Sequence, residues 1–216
     1  MSAITDNYGL FGHAFLRSLG ICVWTMIGAL SIGTVIAAAR VSPVAPLRGF
    51  GTTYVTMVRN CPLTVVLFFI AFGLPEIGVN GSYYVFGISA LAIYTGAFVC
   101  EALRSGINSV QAGQAEAARA IGLTFSQSLG SVILPQAFRS SIPPLGSVLI
   151  AMFKNSAVLG AFGVAGDLFS TGIRLTSAQG YASTPVFLAI GLAYLCITIP
   201  AGLILQALER RAVIIR

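Results

Sequence analysis

Charged side chains are scarce here: only 8% of the 216 residues are Asp, Glu, Lys or Arg, so each one in an apolar setting is informative. Glu116 and Arg119 stand three apart in a run of alanines that includes Ala117 and Ala118 and leads to Gly122 and Leu123. On a helix that spacing puts both charges on one face, available for polar anchoring. Lys154 is the one cation inside a long uncharged run, beside Asn155 and Ser156 and one heptad after Ser147. A cation at that depth costs about 3 kcal/mol on insertion scales. It either lines a solute path, with Asn155, Ser156 and Ser147 offering hydrogen bonds to an amino-acid head group, or it snorkels to the cytoplasmic headgroups. Those same polar groups also hold helices together. Glu101 and Arg104 repeat the (i, i+3) spacing, as a structural pair anchoring the next segment or as a gate. Arg59, close to Pro62, braces that region or anchors at the membrane interface.

The missing chemistry narrows the class. His13 is the only histidine, so the convergent His, Asp or Glu set of an intramembrane enzyme is not supplied. Cys22, Cys61, Cys100 and Cys196 show no CxxC spacing and read as small buried hydrophobes rather than disulfides or metal ligands. No GxxxxGK[ST] run is present, so the chain cannot itself hold nucleotide by that device. No catalytic, cofactor or metal residue is expected.

The elements that position these residues are membrane spans. Hydrophobic residues make up 56% of the chain, and a spanning helix needs about 20 apolar residues. The uncharged runs predict five spans, near 17–39, 54–75, 83–103, 143–166 and 185–208, in one membrane domain covering 1–216. Residues 1–12 read as a surface segment and 41–51 as a turn. Thr25, Gly28, Ser31, Gly33 and Thr34 give span one the small side chains that let helices approach closely. Pro62 predicts a kink or a re-started helix in span two. Pro143 and Pro144 suit the first turn of span four, Pro200 is a candidate kink in span five, and the polar stretch 167–183 predicts an outer loop with a short surface helix. The pairs Tyr83-Tyr84 and Phe68-Phe69 read as interfacial belt and packing.

The formal net charge of +6 is a topology signal and not a nucleic-acid footprint. Arg40, Arg48, Arg59, Arg104, Arg119, Arg139, Arg210, Arg211 and Arg216 fall in one set of loops, and only Arg17 and Arg174 in the other. Basic loops stay cytoplasmic, which predicts the N-terminus outside and the C-terminus inside. Residues 111–135 then face the cytoplasm. Ala, Gln and Glu favour helix up to Ile121, Gly122 suits a helix C-cap, and Thr124 with Gln127 reads as a capping box. Pro135 limits the second arm. Such a helix–turn–helix hairpin either seats in a partner's groove or caps its own bundle.

The run Glu116-Ala117-Ala118, with Gly122 four residues on and Ile133-Leu134-Pro135 beyond it, resembles the EAA loop of ABC-importer permeases. YVTMVRNCP at 54–62, FVCEALRSGINSVQAG at 98–113, Pro135-Gln136-Ala137 and Pro143-Pro144-Leu145 resemble the polar amino-acid permease family over nearly the whole chain. Arg-Val-Ser-Pro at 40–43, RNCPLT at 59–64 and Lys-Asn-Ser at 154–156 are most similar to permeases of actinobacterial glutamate uptake. The resemblance implies an all-α membrane protein of the type I importer permease fold in a bacterial cell membrane, surrounded by lipid. It implies a coupling helix carrying Glu116, Ala117, Ala118, Arg119, Gly122 and Leu123 that docks on a cytoplasmic ABC ATPase dimer, which binds the ATP and magnesium. A second homologous permease, in a heterodimer, and an extracellular solute-binding protein are implied partners. This chain departs from the family at Gly146-Ser147, where Asn is frequent, and at Lys154-Asn155-Ser156-Ala157-Val158, in place of Lys-x-Thr-Ser-Leu, so solute contacts do not carry over by identity.

The competing reading is an ATP-independent secondary transporter or channel subunit. It would call for internal repeats, gapped spans or intramembrane carboxylates, and no repeat is evident in the five spans.

Overall fold

The computed structural model describes residues 6–163 and 166–212, the last two without their side chains. Met1 to Thr5, Val164, Ala165, the Arg211 side chain and Arg216, all used in the sequence reading, lie outside the described residues. Among those described, every regular element is a helix.

Helix α1 spans Tyr8–Val41 and α4 spans Tyr83–Asn108. They pack along their length because glycines let the backbones close. At Gly33 the Val99 side chain occupies the space of a Cβ; at Gly28 it would meet Ala92 at 3.0 Å, and Gly96 closes on Ile32. Of the small residues of α1, Thr25 and Gly33 are buried, whereas Ser31 and Thr34 turn outward. α1 also begins well before the predicted span, so residues 8–12 are helical and not a loose surface segment.

Span two differs most from the sequence reading. Residues 41–51 are not a simple turn: α2 runs Ala45–Asn60, opening with Pro46 in its first turn. α3, Leu63–Glu76, departs from α2 at 107° across the break at Cys61-Pro62. The re-started helix that Pro62 predicts is therefore present, with a sharp corner between its two parts. Pro62 removes a backbone donor and pushes its predecessor to extended geometry, as the ψ of 136° at Cys61 shows. α3 alone rises about 21 Å, short of a hydrocarbon core of about 30 Å.

Pro135 is expected to limit a helix and does not, and a π turn precedes both it and Pro75. In α3 a π turn covers Phe69–Gly73, and the Leu74 N–H donates to the Phe69 carbonyl just before Pro75. In α6, Phe125–Ala161, a π turn covers Ser128–Ile133, and the Leu134 N–H donates to the Leu129 carbonyl just before Pro135. In both, the bond skips five residues, widening the helix where proline supplies no N–H. Pro135 is thus absorbed, and the second hairpin arm and span four are one 37-residue helix. Pro143 and Pro144 lie inside it and not in its first turn.

Helix α7, Leu168–Ser177, is no free surface helix: Leu168, Thr171, Gly172 and Leu175 are buried. Asp167 caps it by accepting the Ser170 N–H at 3.0 Å, and the Ser18 Oγ of α1 accepts the Leu168 N–H at 3.1 Å. α8, Ser183–Ala212, runs through Pro200 without a break in the helix. Cys22 and Cys100 are buried as expected, but Cys61 is half-buried and Cys196 exposed.

Candidate functional site

The hairpin between α4 and α6 folds from local signals alone. Helix α5 spans Ala112–Ala120. It ends in a Schellman motif: the Leu123 N–H donates to the Ala118 carbonyl at 3.1 Å, and the Gly122 N–H to the Arg119 carbonyl at 2.9 Å. Gly122 supplies the required φ of +86°. Thr124 and Gln127 then form a reciprocal capping box, with bonds of 2.9 and 3.3 Å. Ala118 is buried and α5 lies against the π turn of α6.

The outward face of the hairpin carries Glu116, Ala117, Arg119 and Gly122, all exposed, with Leu123 half-buried. Neither Glu116 nor Arg119 forms an ion pair among the described residues. Sequence reasoning missed two further members, Ile121 at 78% and Phe125 at 79% exposure. The signal was there: an Ile and a Phe flank the Gly-Leu-Thr turn of an otherwise polar segment. Large apolar side chains this open to water are characteristic of an interaction surface.

Behind the hairpin, Glu101 of α4 ties three helices together. Its carboxylate pairs with Arg40 of α1 and sits 3.9 Å from the Arg59 guanidinium of α2, which also stacks over Phe98 at 5.5 Å. The expected Glu101–Arg104 pair does not form. Two arginines from neighbouring helices occupy the carboxylate, and the Arg104 Nε is buried without an acceptor. The Tyr54 hydroxyl fastens α2 to α4 through the Ile93 carbonyl at 2.6 Å.

The candidate path residues divide between two faces of α6. Ser147 and Lys154 share its exposed face, and Lys154 makes no ion pair among the described residues. Lys154 lies about 10 Å from the Ala161 end of α6 and about 44 Å from its Phe125 start. Ser156 is buried and donates to the Phe153 carbonyl at 2.8 Å, a helix-internal bond. Asn155 lines a cavity of about 200 Å³ between α4 and α6, with Tyr94, Thr95 and Phe98 opposite. These three partners were not singled out from sequence; Thr95, a hydroxyl in an apolar span, was the available cue.

The exposed, doubly capped hairpin and the Asn155 cavity lie at different levels of one apolar helical bundle. Residues 29–214 match the family described as binding-protein-dependent transport system inner membrane component. The chain belongs to that family. This inner membrane component is 38% identical over 211 residues to the "Probable glutamine ABC transporter permease protein GlnM" of Bacillus subtilis (strain 168), covering 98% of this chain and 97% of that one. It is 39% identical over 212 residues to the glutamate transport system permease protein GluC of Corynebacterium efficiens, covering 92% of each. Among solved structures it resembles the crystal structure of an amino acid ABC transporter with histidines, at TM-score 0.90 and 31% identity over 96% of each chain. The fold is therefore that of an ABC-importer permease, and the hairpin is the inner membrane component's most sharply built element.

Proposed function

We propose that this chain is the permease of an ATP-driven importer for a polar amino acid, with glutamate the leading substrate and glutamine or aspartate close behind. The carrying observation is the hairpin: a helix capped at one end by a Schellman motif and followed by a capping box, presenting Glu116 and Arg119 between the exposed Ile121 and Phe125. That surface fits a groove on a cytoplasmic ATPase, which binds and hydrolyses ATP with magnesium while this chain catalyses nothing. Closure of the ATPase dimer then pushes on α5, and the continuous α6 carries the push to the Asn155 cavity.

The arginine distribution supports an orientation with the N-terminus outside and the hairpin inside. A second homologous permease completes the path, as part of a heterodimer. α6 and α8 support this, because most of their spanning surface is uncovered in the single chain. Leu188, Leu192, Leu195, Ile199 and Leu203 form a stripe on α8 at helical spacing. The names of the relatives support glutamate or glutamine, delivered by an extracellular solute-binding protein.

The test is labelled amino-acid uptake into vesicles holding the permease pair and ATPase, with binding protein added. ATP-dependent glutamate uptake is expected. ATP-independent flux through this chain alone would overturn the reading in favour of a channel or secondary transporter.

A further inference from the structure

Arg17 and Arg174 stand 157 positions apart in sequence, yet both line one cavity of about 380 Å³ between α1 and α7, together with His13, Ser170 and Thr171. They are the two arginines that fall on the loop side opposite the hairpin, where the chain is otherwise poor in cations. Two exposed guanidiniums lining one cavity give it a positive potential that favours an anion. Neither forms an ion pair among the described residues. The nearby carboxylate, Asp167, is fully buried and turned inward, accepting from the Ser170 N–H and from the Tyr194 hydroxyl at 3.3 Å. Arg17 is steadied instead by the Tyr84 ring, 5.1 Å below its guanidinium carbon.

The depth of the cavity selects among anions. From Arg17 to Arg40, the interval on α1 that carries no charge between its ends, the helix rises about 35 Å. This slightly exceeds a hydrocarbon core of about 30 Å, so the Arg17 guanidinium stands at the level of the lipid phosphates. Directly beneath it, two turns down on the same side of α1, Trp24 is 59% exposed and Ile27 beside it 48% exposed. A dissolved anion would use only the arginines, whereas a phospholipid would use the arginines and this apolar ridge together.

We propose that the Arg17–Arg174 cavity seats the phosphate of an anionic phospholipid, with an acyl chain lying along Trp24 and Ile27. Arginine suits the task because its planar fork donates two parallel hydrogen bonds to phosphate oxygens. The lipid staples α7 to α1 and fixes the outer end of the bundle. The orientation proposed above decides only that the leaflet is the outer one.

Trp24 is the chain's single tryptophan, which makes it a reporter. The full-length chain is placed in phosphatidylcholine nanodiscs, and Trp24 quenching is titrated with acyl-brominated phosphatidylglycerol and, separately, with brominated phosphatidylcholine. Both leaflets are open, so the readout is independent of orientation. Phosphatidylglycerol is expected to quench at a several-fold lower mole fraction than phosphatidylcholine. R17Q/R174Q should erase that preference with the Trp24 emission maximum unchanged, and R17K/R174K should keep part of it. Equal quenching by the two lipids in the natural protein overturns the proposal, as does a preference that survives in R17Q/R174Q. Loss of the preference in excess inorganic phosphate would identify a free-anion site and overturn the lipid. So would an intact preference in R17Q/R174Q accompanied by lost stimulation of ATP hydrolysis by the binding protein, which would assign the arginines to protein docking.

Discussion

Gly106 of α4 and Ser141 of α6 touch where the hairpin meets the membrane bundle. The Ser141 Oγ occupies the space of a Gly106 Cβ, and the Ala137 carbonyl would lie 2.5 Å from it. Ser141 is held there by donating to that same carbonyl at 2.8 Å. The two arms that carry α5 are thus clamped backbone to backbone, so a push on the hairpin is delivered to α4 and α6 together.

Gly106→Ala should force the clamp open, at about 1–3 kcal/mol of overpacking. Gly113→Ala is the matched control, since nothing stands within 4 Å of its Cβ position. In reconstituted vesicles the first should lower uptake per ATP hydrolysed, and the second should leave that ratio unchanged.

Gly122→Ala places a side chain at a φ of +86°, costing about 1 kcal/mol locally. Hydrogen exchange at the Gly122 and Leu123 amides should accelerate while the spans stay protected. Phe125→Asp and Ile121→Asp leave the turn intact but remove its apolar face. Both should lose co-purification with the ATPase, and retention by both would remove the hairpin from the docking surface.

The Glu101 cluster predicts unequal arginines. The Arg40 side chain is 12% exposed and paired directly, whereas Arg59 is 45% exposed and its pair is long. Arg40→Gln leaves Glu101 half-buried with only a distant cation, and thermal stability in detergent should fall clearly. Arg59→Gln should cost within the 0–1 kcal/mol of a solvent-screened pair. Arg104→Gln should leave the Glu101 contacts unchanged, as a double-mutant cycle with Glu101→Gln would read.

Asp167 predicts the pH dependence. Burial raises its pKa above 3.8, against the lowering effect of the Ser170 and Tyr194 hydrogen bonds. Because the folded-state value lies above the unfolded one, the protonated form favours folding. That contribution is complete below about 3.8 and is lost as pH rises through the folded-state value. Asp167→Asn keeps an oxygen to cap Ser170 and carries no charge. Its melting temperature should lose this pH dependence and match or exceed the natural protein's near neutral pH. Gly160→Ala, whose Cβ would collide with the Asp167 carboxylate, should destabilise at every pH.

Asn155→Leu tests the cavity between α4 and α6. It removes the polar group facing Tyr94 and Thr95 without touching the hairpin. Uptake should fall while ATPase co-purification is unchanged.

The amino-acid sequence by itself determined what depends on neighbours along the chain. The apolar runs require spans because lipid cannot satisfy free backbone groups. Gly122, Thr124 and Gln127 built the expected caps because those bonds close within a few residues. Proline was harder to read, since a lost N–H can end a helix, as at Pro62, or be absorbed by a π turn, as at Pro75 and Pro135. Charge partners were decided only by the tertiary structure. Glu101 has Arg104 three residues away yet binds Arg40, because a carboxylate between helices takes the cation that packing delivers. The same reason joins Arg17 to Arg174: distance in the folded chain, which no local pattern encodes, sets where the charges meet.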